Sequence, residues 1–246
     1  DGALKALAKA DAAPEEAVHD LRKRMKKLRA LLRLARPGLG AHYAAENRAF
    51  RDIARLFADM RDAQVLSATL ERLAEADGGD ILPPLVGWAA RRRESVLADS
   101  ELPDRIVEAT ARLEAVRARV AQWPVEGGDR AVICDGLKAV YGRARKAWRK
   151  VEKRPDDPAR LHEWRKQVKY HRHHGRLLAG ARPATMQARL ESLQELTDAL
   201  GDDHDLVMLR DRLKAEAPHD LPAAALRRAE VLAAEKSAAL RGRAFA

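Results

Sequence analysis

The chain has one cysteine, Cys134, so no disulfide can form within it and a covalently stapled scaffold is excluded. Aromatic residues make up only 4% against 46% hydrophobic residues in all, so the apolar content is largely Ala, Leu and Val. No convincing strand pattern emerges from it. No apolar run approaches the roughly 18 residues of a membrane span, and no charged-then-apolar export segment opens the sequence. The sequence starts at Asp1 rather than Met, which leaves open what precedes it, and a soluble cytoplasmic protein is the expectation for this stretch. At 246 residues the chain has room for one large domain or two small ones with a core that needs no staples. What it has in excess is positive charge: 47 Lys and Arg against 37 Asp and Glu leave +10, a balance that attracts polyanions.

Long Ala/Leu/Arg/Glu stretches favour helix, and the punctuation agrees. Pro14-Glu15-Glu16 opens a helix that should run to Arg36 and stop at Pro37-Gly38, with Gly40 behind. Further periodic apolar segments at 44–76, 83–98, 104–122, 130–153, 157–179, 184–217 and 222–241 are bounded by Gly, Pro or Asp. The reading is all-α, with stacked antiparallel helices. The linker-like break is Trp123-Pro124-Val125-Glu126-Gly127-Gly128-Asp129, which divides the chain into 1–123 and 129–246.

The two parts match at a shift of 143 residues without a gap. His19, Arg22, Lys23, Lys26, Arg29 and Arg33 fall on His162, Arg165, Lys166, Lys169, Arg172 and Arg176, and Arg61-Asp62 falls on His204-Asp205. A tandem duplication of a helical unit is the expectation, with the helix at 104–122 unmatched because its mate would lie beyond residue 246. On a wheel the six residues of each set share an arc of about 120°, opposite Leu21, Met25, Leu28 and Leu32 in the first case. His173 joins the second arc where the first has Ala30. Each stripe is about 21 Å long at 1.5 Å per residue, suited to an extended anion. Any single amphipathic helix can carry a solvated cationic face, but recurrence at matching positions without a carboxylate argues for a ligand. Arg brings forked donors, Lys a point charge, and His, with its ordinary range near 6.5, a donor whose pKa a nearby polyanion would raise toward the charged form.

The pattern His-x-x-Arg-Lys-x-x-Lys-x-x-Arg at His19 and again at His162, each followed some forty residues on by Arg61-Asp62 or His204-Asp205, resembles the CHAD domain, the conserved histidine α-helical domain. The resemblance covers nearly the whole chain and implies two helical bundles, 1–123 and 129–246, related by pseudo-twofold symmetry around a basic groove that binds inorganic polyphosphate. It carries over His19, Arg22, Lys23, Lys26 and Arg29 with His162, Arg165, Lys166, Lys169 and Arg172. Family members are often associated with polyphosphate granules, and many are fused to a triphosphate-tunnel domain whose Glu-x-Glu-x-Lys strand motif this sequence lacks. The first copy departs from the pattern at Met60-Arg61-Asp62, where a glycine near Ala58, like Gly201 in the second, would be expected to mark a turn.

Lys138, Arg145 and Arg149, opposite the apolar side of the helix at 130–153, form a candidate second basic wall of the groove. Asp62 and Asp205 are expected to orient a neighbouring Arg or His, or to cap a helix. His171, His173 and His174 beside His162 do not share one face and have no acidic or cysteine ligand among them, so no metal and no cofactor is expected. Trp88, Trp123, Trp148 and Trp164 read as core. The leading function is non-enzymatic polyphosphate binding. The alternative is nucleic-acid backbone binding, disfavoured by a lone asparagine, Asn47, by stripes without interleaved aromatics and by the absence of a recognition motif. An enzyme acting on polyphosphate has least support, because neither a Gly-Lys-Ser/Thr phosphate loop nor a two-metal carboxylate cluster is present.

Overall fold

The computed structural model describes residues 1–181 and 183–245. Its elements are α1 (Gly2–Leu7), α2 (Pro14–Leu39), α3 (His42–Arg55), α4 (Ala58–Asp77), α5 (Pro83–Leu97), α6 (Leu102–Val120), α7 (Asp129–Lys153), α8 (Pro158–Leu178), a 3-10 turn (Ala179–Ala181), α9 (Pro183–Glu216) and α10 (Ala223–Phe245). No strand occurs among the described residues, and the fold is all-α.

Helix α2 starts as expected, with Pro14 in its first turn and Glu15 and Glu16 beside the positive end of the dipole. It does not stop at Arg36. The helix runs through Pro37 to Leu39 and ends at Gly40, whose φ of 49° belongs to the left-handed region that glycine enters freely. The Gly38 carbonyl, left without a helical partner there, accepts the Glu126 N–H at 3.0 Å.

The segment at 44–76, read as one helix, is two. The chain breaks at Leu56-Phe57, where Phe57 turns fully into the core and Arg22 Nη1 donates to the carbonyls of Ala54 and Phe57. The corresponding stretch is the single uninterrupted helix α9, and Gly201 lies inside it rather than at a turn. The turn expected at that glycine is therefore corrected: the local difference is the α3–α4 break. The short helix α1 was not legible, because two turns give too little periodicity to stand out.

Three apolar clusters hold these helices. The first joins α1, α2, α3 and α6 through Leu21, Met25, Phe50, Ile53, Phe57 and Leu113. The third joins α7, α8 and α9 around Val151, Leu161, Trp164 and Leu200. The second takes Leu70 and Leu85 from α4 and α5 together with Leu209 and Ala229 from α9 and α10, so residues distant in sequence share one core. Trp88 and Trp164 are buried, and Trp123 and Trp148 pack against the first and third clusters. Helix α2 is gripped from two sides. On one, α7 comes so near that a Cβ on Gly136 would stand 1.9 Å from the Leu34 carbonyl oxygen. On the other, the wholly buried His174 of α8 sets its Nε2 2.6 Å from the Ala30 carbonyl oxygen, and so donates to it.

Candidate anion-binding cleft

Because α2 and α8 both bury their apolar sides, their cationic sides are turned out of those cores and toward α4 and α9. A cleft of about 190 Å³ lies there. Arg22 and Lys26 of α2, Arg61 and Asp62 of α4, Arg165 of α8, and His204, Asp205 and Arg212 of α9 line it above Val65, Leu66, Met208 and Leu209. Two narrow niches adjoin it. His19 lines one with Glu15, Arg22, Arg61 and Gln64, and His162 lines the other with Pro158, Arg165, His204 and Val207. These lining residues correspond at the 143-residue spacing, and so do Asp62 with Asp205 and Val65 with Met208 in the cleft. Arg22 and Arg61 belong to both the cleft and the first niche, and Arg165 and His204 to both the cleft and the second.

The cations are crowded, and their protonation reflects it. Lys26 falls to about 8, through burial and then the repulsion of Arg22, Arg61 and Arg165. Its side chain touches solvent, yet the cleft walls surround it, which is how an open but enclosed space lowers an ammonium. Lys169 falls to about 7, through burial and then Arg165 and Lys26. Burial also lowers Arg22 and Arg165, and it raises Asp205 against the pull of Arg165, Arg61 and Arg72. The rings of His162 and His204 are 4.5 Å apart, and His204 drops to about 3 by burial and the nearby Arg165. His19 and His162 are lowered by burial first and by neighbouring cations next, and His173 reaches about 4 for the same reasons. The histidine range near 6.5 expected for these side chains is therefore corrected downward, because burial and neighbouring cations favour the neutral rings.

The remaining stripe residues have different surroundings. Arg29 Nε and Arg33 Nη1 both donate to Asn47 Oδ1 at 3.1 Å, and the Arg33 guanidinium sits 4.0 Å over the Tyr170 ring, so that end of the first stripe is tied to α3 and α8. Lys23 is exposed, Lys166 pairs with Glu163 at 2.5 Å, and Arg176 donates to Gln194 Oε1 at 3.4 Å. The Arg172 Nε is buried and makes no hydrogen bond among the described residues. Asp62 accepts from Arg212 Nη2 at 2.7 Å, and neither it nor Asp205, which lies within α9, caps a helix.

Lys138, Arg145 and Arg149 do not form a second wall. Helix α7 buries Val132, Val140, Ala147 and Val151, which leaves those three exposed; none lines the cleft or either niche, and Lys138 pairs with its neighbour Asp135. The three histidines beside His162 part company as well: His171 accepts from Arg189 Nη2 at 3.0 Å, His173 faces the stripe cations, and His174 meets Ala30. Sequence reasoning missed Arg61, His204 and Arg212 as lining residues. The repeated Arg/His-Asp step carried a signal for the first two, whereas Arg212 corresponds to Thr69 and had none.

Among the described residues no helix is long and apolar enough to cross a membrane. The family model of the CHAD domain matches residues 1–214. Among solved structures, PptA from Streptomyces chartreusis is similar at 17% identity and a TM-score of 0.66, over 99% of this chain and 92% of that chain, a likeness that bears on the fold. No curated protein matches the chain.

Proposed function

Because the chain belongs to the CHAD domain family, we propose that it binds inorganic polyphosphate without acting on it, and that the cleft between α2, α4, α8 and α9 is the seat of the phosphate chain. The observation that carries this reading is the crowding of Arg22, Lys26, Arg61 and Arg165 along one cleft, with Lys169 near enough to feel Arg165 and Lys26, where burial and repulsion drag both lysines down. A cluster of that kind is costly until an anion enters, and the anion then regains what the cations lack. Forked donors on Arg22, Arg61 and Arg165 suit phosphate oxygens, and the ammoniums of Lys26 and Lys169 add charge at short range. A linear phosphate chain has no bulk beyond its tetrahedra and suits a narrow cleft better than a duplex does.

The niches of His19 and His162 would extend the track on either side, with Lys23, Lys166, Arg172, His173 and Arg176 along its outer reaches. Arg29 and Arg33, already engaged with Asn47 and Tyr170, would steady the helix rather than hold ligand. Asp62 would fix Arg212, and Asp205 would relieve repulsion among the arginines before ligand arrives. The correspondence of lining residues at a 143-residue spacing supports the further reading that 1–123 and 129–246 are duplicated units related by a pseudo-twofold axis through the cleft. Recruitment to polyphosphate granules would follow from such binding.

A competition titration at one fixed salt concentration tests the proposal, with long-chain polyphosphate, duplex DNA and single-stranded RNA against the same labelled probe. Polyphosphate should displace it at the lowest phosphate concentration, with an affinity that falls steeply with salt. Equal or better displacement by a nucleic acid would replace this reading with the nucleic-acid one.

A further inference from the structure

A second cavity, of about 300 Å³, opens where α10 crosses α4 and α9, and it differs in kind from the cleft. Its floor is apolar, made by Leu73, Leu206 and Leu240, and its rim carries Arg72, Lys236 and Arg243. Arg72 is held by Asp202 at 3.1 Å and by the Thr69 hydroxyl at 3.3 Å, which leaves the face of its half-exposed guanidinium available. Lys236 and Arg243 make no ion pair among the described residues. Seven residues apart on one helix, they lie on the same side about 10 Å from each other.

The corner of the molecule that corresponds at the 143-residue spacing is filled. There Arg212 stands where this cavity has Thr69, Glu216 where it has Leu73, and Arg93 where it has Lys236. Arg212 pairs with Asp62 and Glu216, Glu216 pairs with Arg92 at 2.6 Å, and Arg93 pairs with Glu15. One corner is thus closed by ion pairs, and the other is open with Lys236 and Arg243 unanswered. A hydroxyl and a leucine in place of an arginine and a glutamate make the difference.

We infer that this cavity is a site for a nucleoside phosphate, separate from the polyphosphate cleft. The volume and the mix of an apolar floor with a few polar groups match a small-molecule site rather than a groove for a peptide or helix. An apolar floor beneath unanswered cations selects an anion with an apolar body, which inorganic phosphate lacks. A planar guanidinium offers a stacking surface to a heterocyclic ring, and the Asp202 carboxylate offers an acceptor to sugar hydroxyls. A fatty acid would use neither. In the bound state the base lies over Leu73 and Leu206 against Arg72, and the phosphates reach Lys236 or Arg243.

Calorimetric titration of the whole chain with ATP, adenosine, inorganic triphosphate and octanoate tests this. ATP should bind at least tenfold more tightly than adenosine, and Lys236→Gln with Arg243→Gln should weaken ATP at least tenfold while leaving triphosphate and polyphosphate binding unchanged. Lys138→Gln with Arg149→Gln removes the same charge from exposed positions elsewhere and should leave ATP binding as it was. Thr69→Arg, which imitates the filled corner, should abolish ATP binding in a protein whose helical melt is intact; if that variant fails to fold, the Lys236/Arg243 pair decides. ATP affinity unchanged in the Lys236/Arg243 variant, triphosphate weakened in parallel with ATP, or octanoate binding in place of ATP would each overturn the inference, and none of them touches polyphosphate binding in the cleft.

Discussion

Replacing Lys169 with glutamine should remove most of the pH dependence of polyphosphate binding between pH 6 and pH 8. The ammonium is the form that meets an anion, and burial and the repulsion of Arg165 and Lys26 bring it to about 7. Binding then requires that the neutral fraction take up a proton, and affinity falls as pH rises through that value. If the bound chain returns Lys169 to full protonation, the loss from pH 6 to pH 8 is about tenfold. Lys26, at about 8 and with its side chain in contact with solvent, adds at most about a factor of two. The histidines lie below their ordinary value, so their titration sits below that of Lys169. Polarisation titrations at constant ionic strength with a long chain, whose titrating ends are few, measure the profile, and calorimetry in buffers of different ionisation enthalpy should find about one proton taken up at pH 8. Lys169→Arg is the control, since it keeps the charge without the titration and should bind tightly and evenly across the range. A wild-type profile that is flat above pH 6.5, or one that Lys169→Gln leaves unaltered, would refute the reasoning.

Gly136→Ala should lower the denaturation midpoint by the equivalent of about 1–3 kcal/mol or more, because the new methyl meets the Leu34 carbonyl of α2 rather than a side chain that can swing away; an unchanged midpoint would mean that α7 and α2 are not so close. Arg22→Gln should cost about 1–3 kcal/mol of stability through the carbonyls of Ala54 and Phe57, whereas Arg165→Gln should weaken polyphosphate binding with little effect on stability, and urea melts beside titrations separate the two. The protein should lose stability as pH falls from 7 to 5. His171, His173 and His204 have folded values of about 4, 4 and 3, below the ordinary 6.5, so stability present above 6.5 is lost by about 2 kcal/mol each near pH 5, and polyphosphate should restore it in thermal melts if it recharges the cleft. Neutralising Lys138, Arg145 and Arg149 together should change polyphosphate affinity by less than about threefold at physiological salt, since these exposed cations act only through a screened field.

How far the sequence could be read depended on whether one helix carried the information. The phase of His19, Arg22 and Lys26, and of His162, Arg165 and Lys169, is a property of α2 and α8 alone, and both faces do turn away from the apolar clusters. Where the outcome depended on a second element, the wheel fell silent. It gave Lys138, Arg145 and Arg149 a face, but the position of α2 and α8 across α7 decided that this face meets solvent. It gave the histidines their place, but the walls and cations that depress them come from several helices at once. The break at Leu56-Phe57 has neither glycine nor proline to mark it, and rests on a buried phenylalanine and on an arginine thirty-two and thirty-five positions away from the carbonyls it serves.

That break also separates two arginines which the sequence treats as one. Arg22 and Arg165 hold the same place in matching stripes, but α3 ends at Arg55 and leaves carbonyls that need a donor, and Arg22 supplies it. Opposite Arg165 the helix α9 continues and its carbonyls are answered within the helix; the Nε of both arginines is buried without a hydrogen-bond partner among the described residues, but of the two only Arg22 has its Nη1 engaged. A buried guanidinium nitrogen in that state is costly, and an anion oxygen is the partner that would relieve it. The same residue at the same position in a matching pattern is thus a strut on one side of the cleft and an open valence on the other, so an entering phosphate chain should find Arg165 readier to bind than Arg22.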